Sequence, residues 1–226
     1  MLLTKSVQKL FRPTCKLLRA SKPISCRTLT HYPIDDVIFG LTDDERQLRE
    51  MAFNFCQKEL APLADKMDKT NEFPEMREVW KKMGDLGMLG ATASSEYGGS
   101  DMGYFQHCIL VEEMARVSAS ISLSYGAHSN LCVNQINKNG TEEQKEKYLP
   151  KLCSGEHIGA LAMSEPGSGS DVVSMSTKAE KRGDYYVLNG SKFWITNGPT
   201  GKFIHILYYI LLNQCLKSNS NLNCVH

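Results

Sequence analysis

The 226-residue chain lacks the short motifs that mark several large protein classes. It has no GxSxG, the turn that presents a catalytic serine, and no ExxH, a ligand pair of di-iron carboxylate bundles. Its eight cysteines include no CxxC pair, and none lies near histidine at the spacing of a zinc site. We therefore expect neither a serine hydrolase nor a metal domain, and we predict that Cys56, Cys108 and Cys132 are buried as small apolar residues.

Acidic residues are absent from residues 1–34, which carry seven basic residues and several hydroxyls. Basic, hydroxyl-rich and acid-free segments with apolar residues at roughly helical spacing are typical of mitochondrial transit peptides, and a solvated basic tail is the alternative. We predict a transit peptide over residues 1–30 and location in the mitochondrial matrix. The remainder of the chain is mildly acidic, which gives no reason to expect nucleic-acid binding.

Charged residues are also absent from the 21 positions of residues 117–137. A run of this length could be a membrane span. The run contains several serines and asparagines together with His128, which lipid would leave without partners. We therefore expect no membrane span but a buried helix that lines a pocket.

The first part of the chain has the pattern of a helical domain. Thr42 followed by Glu45 forms the sequence of a capping box, and apolar residues then recur at helical spacing. Pro62 is expected to kink or end this helix, and Pro74 is expected to be the first residue of the next one. Residues 104–116 predict a further helix.

The second part of the chain has short, β-rich segments. Residues 158–163, 174–180, 185–188 and 192–196 are predicted strands, and the pair Asn189 and Gly190 predicts a hairpin turn. Helices followed by strands, without βαβ alternation, indicate an α+β protein. The predicted fold is an N-terminal all-α domain followed by an antiparallel β-domain.

A loop dense in hydroxyls and glycines follows the first predicted strand, in the segment ALAMSEPGSGSDVVS of residues 160–174. Such a loop exposes backbone N–H groups and lets a phosphate-bearing ligand approach closely. It is not GxGxxG, and strands rather than a helix are predicted after it, so a Rossmann interpretation is poor. On its own the loop could also be an ordinary turn.

Residues 162–171 match a family pattern at every position: small, aliphatic, Ser or Thr, Glu, two free positions, small, Gly, Ser or Thr, and Asp. The segment KFWITNGP follows at residues 192–199. These two segments, in this order, resemble the acyl-CoA dehydrogenase family, and the likeness covers residues 34–199. The segments LSYGAHSNLC, QKEKYLPKL and GALAMSEP resemble the branch of the family that oxidises isovaleryl-CoA.

The resemblance implies a mechanism, a cofactor and partners. In this family a carboxylate removes the α-proton of an acyl-CoA thioester, the β-hydrogen leaves as hydride to the flavin of FAD, and electrons pass to an electron-transferring flavoprotein. Homotetrameric assembly is also implied.

Roles for individual residues follow from the same resemblance. Ser164 is expected to bond the pyrimidine side of the flavin, and Ser170 to contact the pyrophosphate and lie close to the CoA substrate. Trp194 is expected to cover the flavin face, and Thr196 to bond the hydride-accepting nitrogen. The residues expected at the cofactor are Leu161, Ala162, Met163, Ser164, Glu165, Pro166, Gly167, Ser168, Gly169, Ser170, Trp194, Ile195 and Thr196.

The likeness that carries these roles ends near Pro199. We predict an N-terminal helical domain over residues 35–155, the first part of a middle β-domain over 156–199, and a non-family tail over 200–226. The family's C-terminal helical domain, which carries the glutamate base of the isovaleryl-CoA branch, is not found in the sequence, and the family does not use the position of Glu165 as the base. The expectation is therefore an inactive, truncated form.

Two alternatives remain open. The chain could derive from another short- or branched-chain acyl-CoA dehydrogenase, or from an acyl-CoA oxidase. It could also be a non-catalytic fragment that binds only flavin or partner subunits.

Overall fold

The computed structural model describes residues 40–200, 203–206, 209–210 and 224–225. The predicted transit peptide lies outside these described residues. Helices form the first part of the described chain: α1 (Asp43–Phe55), α2 (Ala61–Thr70), α3 (Met76–Asp85), α4 (Tyr104–Val117), α5 (Ala119–Gly126), α6 (Asn134–Asn139) and α7 (Glu142–Cys153). Two π-helical segments join neighbouring helices, Cys56–Leu60 between α1 and α2, and Ala127–Val133 between α5 and α6.

The ends of these helices agree with the sequence only in part. Thr42 Oγ1 accepts the Glu45 N–H at 3.3 Å, and the Glu45 carboxylate accepts the Thr42 N–H at 2.9 Å, so the predicted capping box is confirmed. Pro62 lies in the first turn of α2, after the π-helical segment. Pro74 was wrongly predicted as the first residue of a helix, because α3 begins only at Met76.

Apolar residues of the helices pack into a buried core. Trp80 on α3 is fully buried, and Tyr125 on α5 donates its hydroxyl to the Met88 carbonyl at 2.8 Å within this core. Cys56 and Cys132 are buried as predicted, but Cys108 is exposed: it is not among the residues through which α4 is buried. Burial raises the pKa of the Cys56 thiol to about 12, so this thiol stays protonated.

The uncharged run of residues 117–137 forms α5, the second π-helical segment and part of α6. Of the helices in the described ranges, none has both the length and the apolar character that a bilayer crossing requires. Ser122 and Asn134 are buried, and Ser122 donates its hydroxyl to the Val111 carbonyl at 3.0 Å. The run is therefore packed in part inside the helical part, with Leu123 and Leu131 exposed, and the pocket that it was expected to line stays a prediction.

Strands follow the helices: β1 (Gly159–Ala162), β2 (Lys178–Arg182), β3 (Tyr185–Asn189), β4 (Phe203–Ile206), β5 (Tyr209–Ile210) and β6 (Cys224–Val225). β2 and β3 form an antiparallel hairpin in which Lys178 is opposite Asn189. β4 lies between β1, to which it is parallel, and β6, to which it is antiparallel. β5 adds to β2 in parallel. A helical part followed by strands confirms the α+β class.

The predicted strand over residues 192–196 is wrong. In the described structure this segment belongs to no strand, and Asn189 and Gly190 therefore turn no hairpin onto it. The reason is the backbone: Trp194 and Asn197 have φ angles of 55° and 65°, in the left-handed region that interrupts a strand.

Candidate functional site

The loop after β1 closes on itself through its own backbone. Glu165 and Ser168 exchange N–H to carbonyl hydrogen bonds of 2.8 and 3.1 Å. The Ser168 hydroxyl is buried and donates to the Asp171 carbonyl. Apart from the glycine itself and the two adjacent residues, no atom lies within 4 Å of the position that a Cβ would take on Gly167 or Gly169. Hydrogen bonds within the loop thus hold its backbone together, and its outer edge at Gly167 and Gly169 is open.

The Glu165 carboxylate is buried beneath this loop, where it accepts several hydrogen bonds. The donors are Lys192 Nζ at 2.8 Å, the Ser176 N–H and hydroxyl at 2.6 and 2.7 Å, and the Thr177 N–H at 3.0 Å. Burial alone would raise the pKa of Glu165, but these hydrogen bonds outweigh it and hold the pKa well below its ordinary value. Glu165 is therefore an ionised group that fastens the loop to the chain before β2.

The two segments that carry the family resemblance meet at this carboxylate. Lys192 Nζ donates to the Met163 carbonyl at 3.0 Å as well as to Glu165. The Phe193 N–H donates to the Ser164 carbonyl at 2.9 Å. A side-chain and a backbone contact thus join the segment 192–199 to the end of β1 and the start of the loop.

Trp194 projects from this junction into solvent. Its side chain is 84% exposed, and its ring lies 4.7 Å from that of Phe193, centroid to centroid, in an edge-to-face arrangement. A left-handed backbone at a bulky residue is rare and strained, at about 1–3 kcal/mol, and such residues concentrate at ligand sites. An exposed indole on a strained turn marks this position as a candidate ligand contact.

Asn197 fixes the other end of the turn. Its buried side-chain amide donates to the Ser124 carbonyl of α5 at 2.9 Å and to the Gly159 carbonyl of β1 at 3.1 Å. Asparagine tolerates the left-handed region better than other non-glycine residues. Thr196, half-buried, lies between the two left-handed residues Trp194 and Asn197.

His128 connects the helices to the same strand. Its Nδ1 accepts the Gly159 N–H at 2.8 Å, so Nε2 carries the proton and donates to the Leu152 carbonyl at 3.2 Å. Burial lowers the pKa of His128 to about 4, which keeps the ring neutral. A Cβ on Gly159 would lie 2.7 Å from Cys132 Sγ, so the close approach of β1 to the π-helical segment requires glycine here.

Two serines predicted at the cofactor differ in their surroundings. The Ser164 carbonyl accepts the Phe193 N–H of the segment 192–199, whereas Ser170 lies on the exposed arm of the loop. Sequence reasoning assigned no role to Lys192, Asn197 or His128. Two features of the sequence could have drawn attention to this segment: it begins with a lysine, and it contains an Asn-Gly pair. Neither feature identifies the residue that the side chain binds.

The chemistry of these residues suits a flavin nucleotide. The exposed Trp194 offers a flat apolar surface for an aromatic ring system. Ser170 is an exposed residue and Thr196 a half-buried one, and each carries a hydroxyl that can form hydrogen bonds. The open edge at Gly167 and Gly169 lets a phosphate approach the backbone. Across the described ranges, no group of three or more His, Cys, Asp or Glu side chains could bind a metal ion.

Family models match most of the chain. The model of the acyl-CoA dehydrogenase N-terminal domain matches residues 42–156, and that of the acyl-CoA dehydrogenase middle domain matches residues 160–220. The second match extends beyond Pro199, where the likeness of short segments ends. Members of the family are FAD-dependent.

Curated relatives agree with the family models. The mitochondrial isovaleryl-CoA dehydrogenases of Pongo abelii and Bos taurus are 59% and 60% identical to this chain over 176 residues. Each match covers 78% of this chain, and 42% and 41% of the respective relative. The chain thus spans about two fifths of the length of these relatives.

Solved structures share the fold. The acyl-CoA dehydrogenase of Geobacillus kaustophilus has a TM-score of 0.70 and 38% identity, covering 74% of this chain and 43% of its own. The acyl-CoA dehydrogenase of Bacillus anthracis, solved in complex with FAD, has a TM-score of 0.72 and 30% identity, covering 81% of this chain and 32% of its own. On the two model matches, which together span most of the described residues, this chain belongs to the acyl-CoA dehydrogenase family.

Proposed function

We propose that this chain binds FAD between the loop of residues 163–171 and the turn of residues 193–197, as the flavin-binding part of an acyl-CoA dehydrogenase. The observation that carries the proposal is the 2.9 Å hydrogen bond from the Phe193 N–H to the Ser164 carbonyl. It brings together two segments that each carry residues suited to a flavin nucleotide. When bound, FAD supplies the two-electron acceptor of the reaction.

The loop provides the polar contacts in this proposal. The Ser164 hydroxyl bonds the pyrimidine edge of the flavin, and Ser170 lies against the pyrophosphate and close to the CoA substrate. The open edge at Gly167 and Gly169 allows the phosphates to reach backbone N–H groups. The Glu165 carboxylate is already bound by Ser176, Thr177 and Lys192, and the Ser168 hydroxyl by the Asp171 carbonyl, so both side chains act at the cofactor site by shaping the loop.

The turn provides the ring contacts. Trp194 covers one face of the flavin with its exposed indole, and Thr196 donates a hydrogen bond to the nitrogen that accepts hydride. Donors that are fixed before the ligand arrives need no rearrangement, so they stabilise charge on the reduced ring efficiently. The bonds of Asn197 to Ser124 and Gly159 supply that rigidity.

The proposed substrate is isovaleryl-CoA, oxidised to 3-methylcrotonyl-CoA in leucine breakdown. Support comes from the relatives at 59% and 60% identity, which are isovaleryl-CoA dehydrogenases. An electron-transferring flavoprotein is the proposed electron acceptor, and the homotetramer is the proposed assembly. The alternatives are another short- or branched-chain acyl-CoA dehydrogenase or an acyl-CoA oxidase, which a panel of acyl-CoA substrates would distinguish.

Binding without turnover is the proposed property of the 226-residue chain itself. The two carboxylates of the proposed flavin loop are both engaged: Glu165 binds Lys192, and Asp171 accepts from the Ser174 hydroxyl. We propose that neither removes a proton from a thioester. The residues of the loop and turn therefore bind and orient the cofactor and substrate, and supply no general base.

Flavin titration tests the proposal. Purified chain is titrated with FAD, and the variants S164A, S170A and T196A are compared with S191A, a change at an exposed serine outside the proposed contacts. Each of the three contact variants is expected to weaken binding by about 1–3 kcal/mol, since each loses a hydrogen bond to a polar or charged group. Absence of FAD binding by the unmodified chain, or wild-type affinity in all three variants, would reject the site.

Location and domain division complete the proposal. We propose import into the mitochondrial matrix by residues 1–30, a helical domain over 35–155 and a β-domain that begins at 156. The relatives named mitochondrial support the compartment. A reporter fused to residues 1–40 is expected to reach the matrix, and a reporter that stays cytosolic would reject the transit peptide.

A further inference from the structure

The ammonium group of Lys192 is largely buried, which is unusual for a lysine. Its side chain is 10% exposed, and its Nζ lies 2.8 Å from Glu165, 3.0 Å from the Met163 carbonyl and 4.0 Å from Met175 Sδ. No role in the proposed flavin contacts uses this ammonium. A lysine at the surface would be solvated, so its burial here requires an explanation.

The surroundings of Lys192 satisfy its charge. The Glu165 side chain is 2% exposed and ionised, so the pair is neutral as a whole. Each partner has further hydrogen bonds: Lys192 donates to Met163, and Glu165 accepts from Ser176 and Thr177. A buried ion pair is tolerated when its remaining hydrogen-bonding capacity is used in this way, and such a pair fixes one geometry.

The position of Lys192 in the chain places this ion pair next to the strained turn. The next residue, Phe193, bonds the Ser164 carbonyl, and the residue after it, Trp194, has the strained left-handed backbone. A strained residue persists only where its surroundings determine its conformation. Asn197 fixes the far end of the turn, so Lys192 is the anchor of the near end.

We propose that Lys192 is a positioning residue whose ion pair with Glu165 fixes the turn of residues 193–197 against the loop of residues 163–171. It thereby sets where Trp194 and Thr196 stand relative to the flavin, without touching the flavin itself. This inference rests on the proposed function for its ligand. The arrangement of turn and loop can be tested without flavin.

The flavin-free test is hydrogen exchange at the Phe193 amide in the full 226-residue chain, followed by NMR. K192M removes the charge at nearly constant length, and K181M is the matched control at an exposed lysine of β2. K192M is expected to speed exchange at Phe193 by about tenfold or more, because the amide loses its fixed acceptor. Exchange at Leu110, buried in α4, is expected to stay unchanged in both variants.

The flavin test uses FAD as the probe on the same proteins. K192M is expected to raise the FAD dissociation constant by about tenfold or more, K192R to restore most of the affinity, and K181M to have no effect. Unchanged Phe193 exchange in folded K192M would overturn the positioning role, whether or not FAD binds. Failure of the unmodified chain to bind FAD would instead overturn the proposed function, and the exchange data would still decide the role of Lys192.

A second variant covers the case in which K192M does not fold. E165Q keeps the shape of the carboxylate and removes its charge, so it weakens the same pair from the other side. It is expected to speed Phe193 exchange in the same direction. Wild-type exchange in folded E165Q would overturn the proposal.

Discussion

His128 and Asn197 bind the backbone of the same residue from two sides. The Gly159 N–H donates to His128 Nδ1 at 2.8 Å, and the Gly159 carbonyl accepts from Asn197 Nδ2 at 3.1 Å. The first contact comes from the helical part and the second from the proposed flavin-binding turn. The start of β1 is thus the point through which the helices and the turn are aligned.

Gly159→Ala tests how tightly this point is packed. The added Cβ would lie 2.7 Å from Cys132 Sγ and 2.9 Å from Cys132 Cβ, so the strand or the π-helical segment must move. We expect a loss of about 1–3 kcal/mol in the free energy of unfolding, measured with urea. Gly126→Ala is the control: it meets nothing within 4 Å on a helix and is expected to stabilise by about 0.5–1 kcal/mol. Equal stability of the two variants would contradict the packing argument.

Two substitutions at Asn197 separate the contribution of its side-chain hydrogen bonds to stability from that of its left-handed backbone. Alanine loses the bonds to Ser124 and Gly159 and must also adopt the left-handed conformation, whereas glycine loses only the bonds. We expect N197A to be less stable than N197G by about 1 kcal/mol, and both to be less stable than the unmodified chain. Urea denaturation measures the difference, and N197A as stable as N197G would show that the backbone of residue 197 is not strained.

The pH dependence of stability is predicted from His128. Its pKa is lowered by burial from 6.5 to about 4 in the folded chain. Between these two pH values the unfolded chain therefore binds a proton at His128 and the folded chain does not. The resulting stability is fully present above pH 6.5 and is lost as the pH falls toward 4. Between pH 7 and pH 5 this group alone is expected to remove roughly 2 kcal/mol of unfolding free energy.

Comparison of variants isolates that contribution. H128N is expected to show a shallower loss of stability between pH 7 and pH 5, whereas S191A, a change at an exposed serine that does not titrate in this range, is expected to retain the slope of the unmodified chain. NMR of the ring nitrogens adds a direct measurement, in which His128 keeps a neutral ring with the proton on Nε2 at pH 5. A protonated His128 ring in the folded protein at pH 5 would disprove the assignment.

Intrinsic fluorescence is predicted to report on the proposed flavin site. The chain contains two tryptophans, Trp80, which is fully buried, and Trp194, which is 84% exposed. Acrylamide is expected to quench the Trp194 component selectively, and W194F to remove the quenchable component. FAD is expected to quench the same component by stacking on the indole. If saturating FAD left the acrylamide-quenchable component of the unmodified chain at full intensity, the flavin would not stack on Trp194.

Turnover is predicted to be absent from the chain alone. Removal of a thioester α-proton needs a placed base, which typically contributes about 10²–10⁴-fold to the rate, and Glu165 is held by Lys192, Ser176 and Thr177. The assay uses isovaleryl-CoA, an artificial electron acceptor, added FAD and purified chain free of any longer relative. Turnover above the enzyme-free rate would assign a base within the 226 residues.

Local chemistry explains which parts of the fold the sequence predicted. The capping box of Thr42 and Glu45 depends on residues three apart, so the start of α1 is readable directly from the chain. The segment 192–196 has strand-like composition, but contacts with distant residues determine its backbone. Lys192 is bound to Glu165, and Asn197 to Ser124, and these contacts override the local preference.

The same distinction applies to the site. Family likeness indicated the hydroxyl residues Ser164, Ser170 and Thr196, because each of the two segments that contain them, residues 162–171 and 192–199, is short and continuous. It did not indicate that Lys192 binds Glu165 or that His128 binds Gly159, because each of these partners comes from a separate segment of the chain. Such pairs become visible only when the segments are packed together.

The π-helical segment Ala127–Val133 also bears on how this chain tolerates insertions and deletions. A π-helical turn contains one residue more than an α-helix needs, so it can arise from a single inserted residue. Ser124, which binds Asn197, precedes this segment, and Cys132, which packs against Gly159, lies within it. Deleting one residue between them would leave a continuous helix yet rotate one contact about 100° away from the other. A surface helix would tolerate such a change in length. In this segment the same change would separate the contact of Ser124 with Asn197 from the contact of Cys132 with Gly159 at the start of β1.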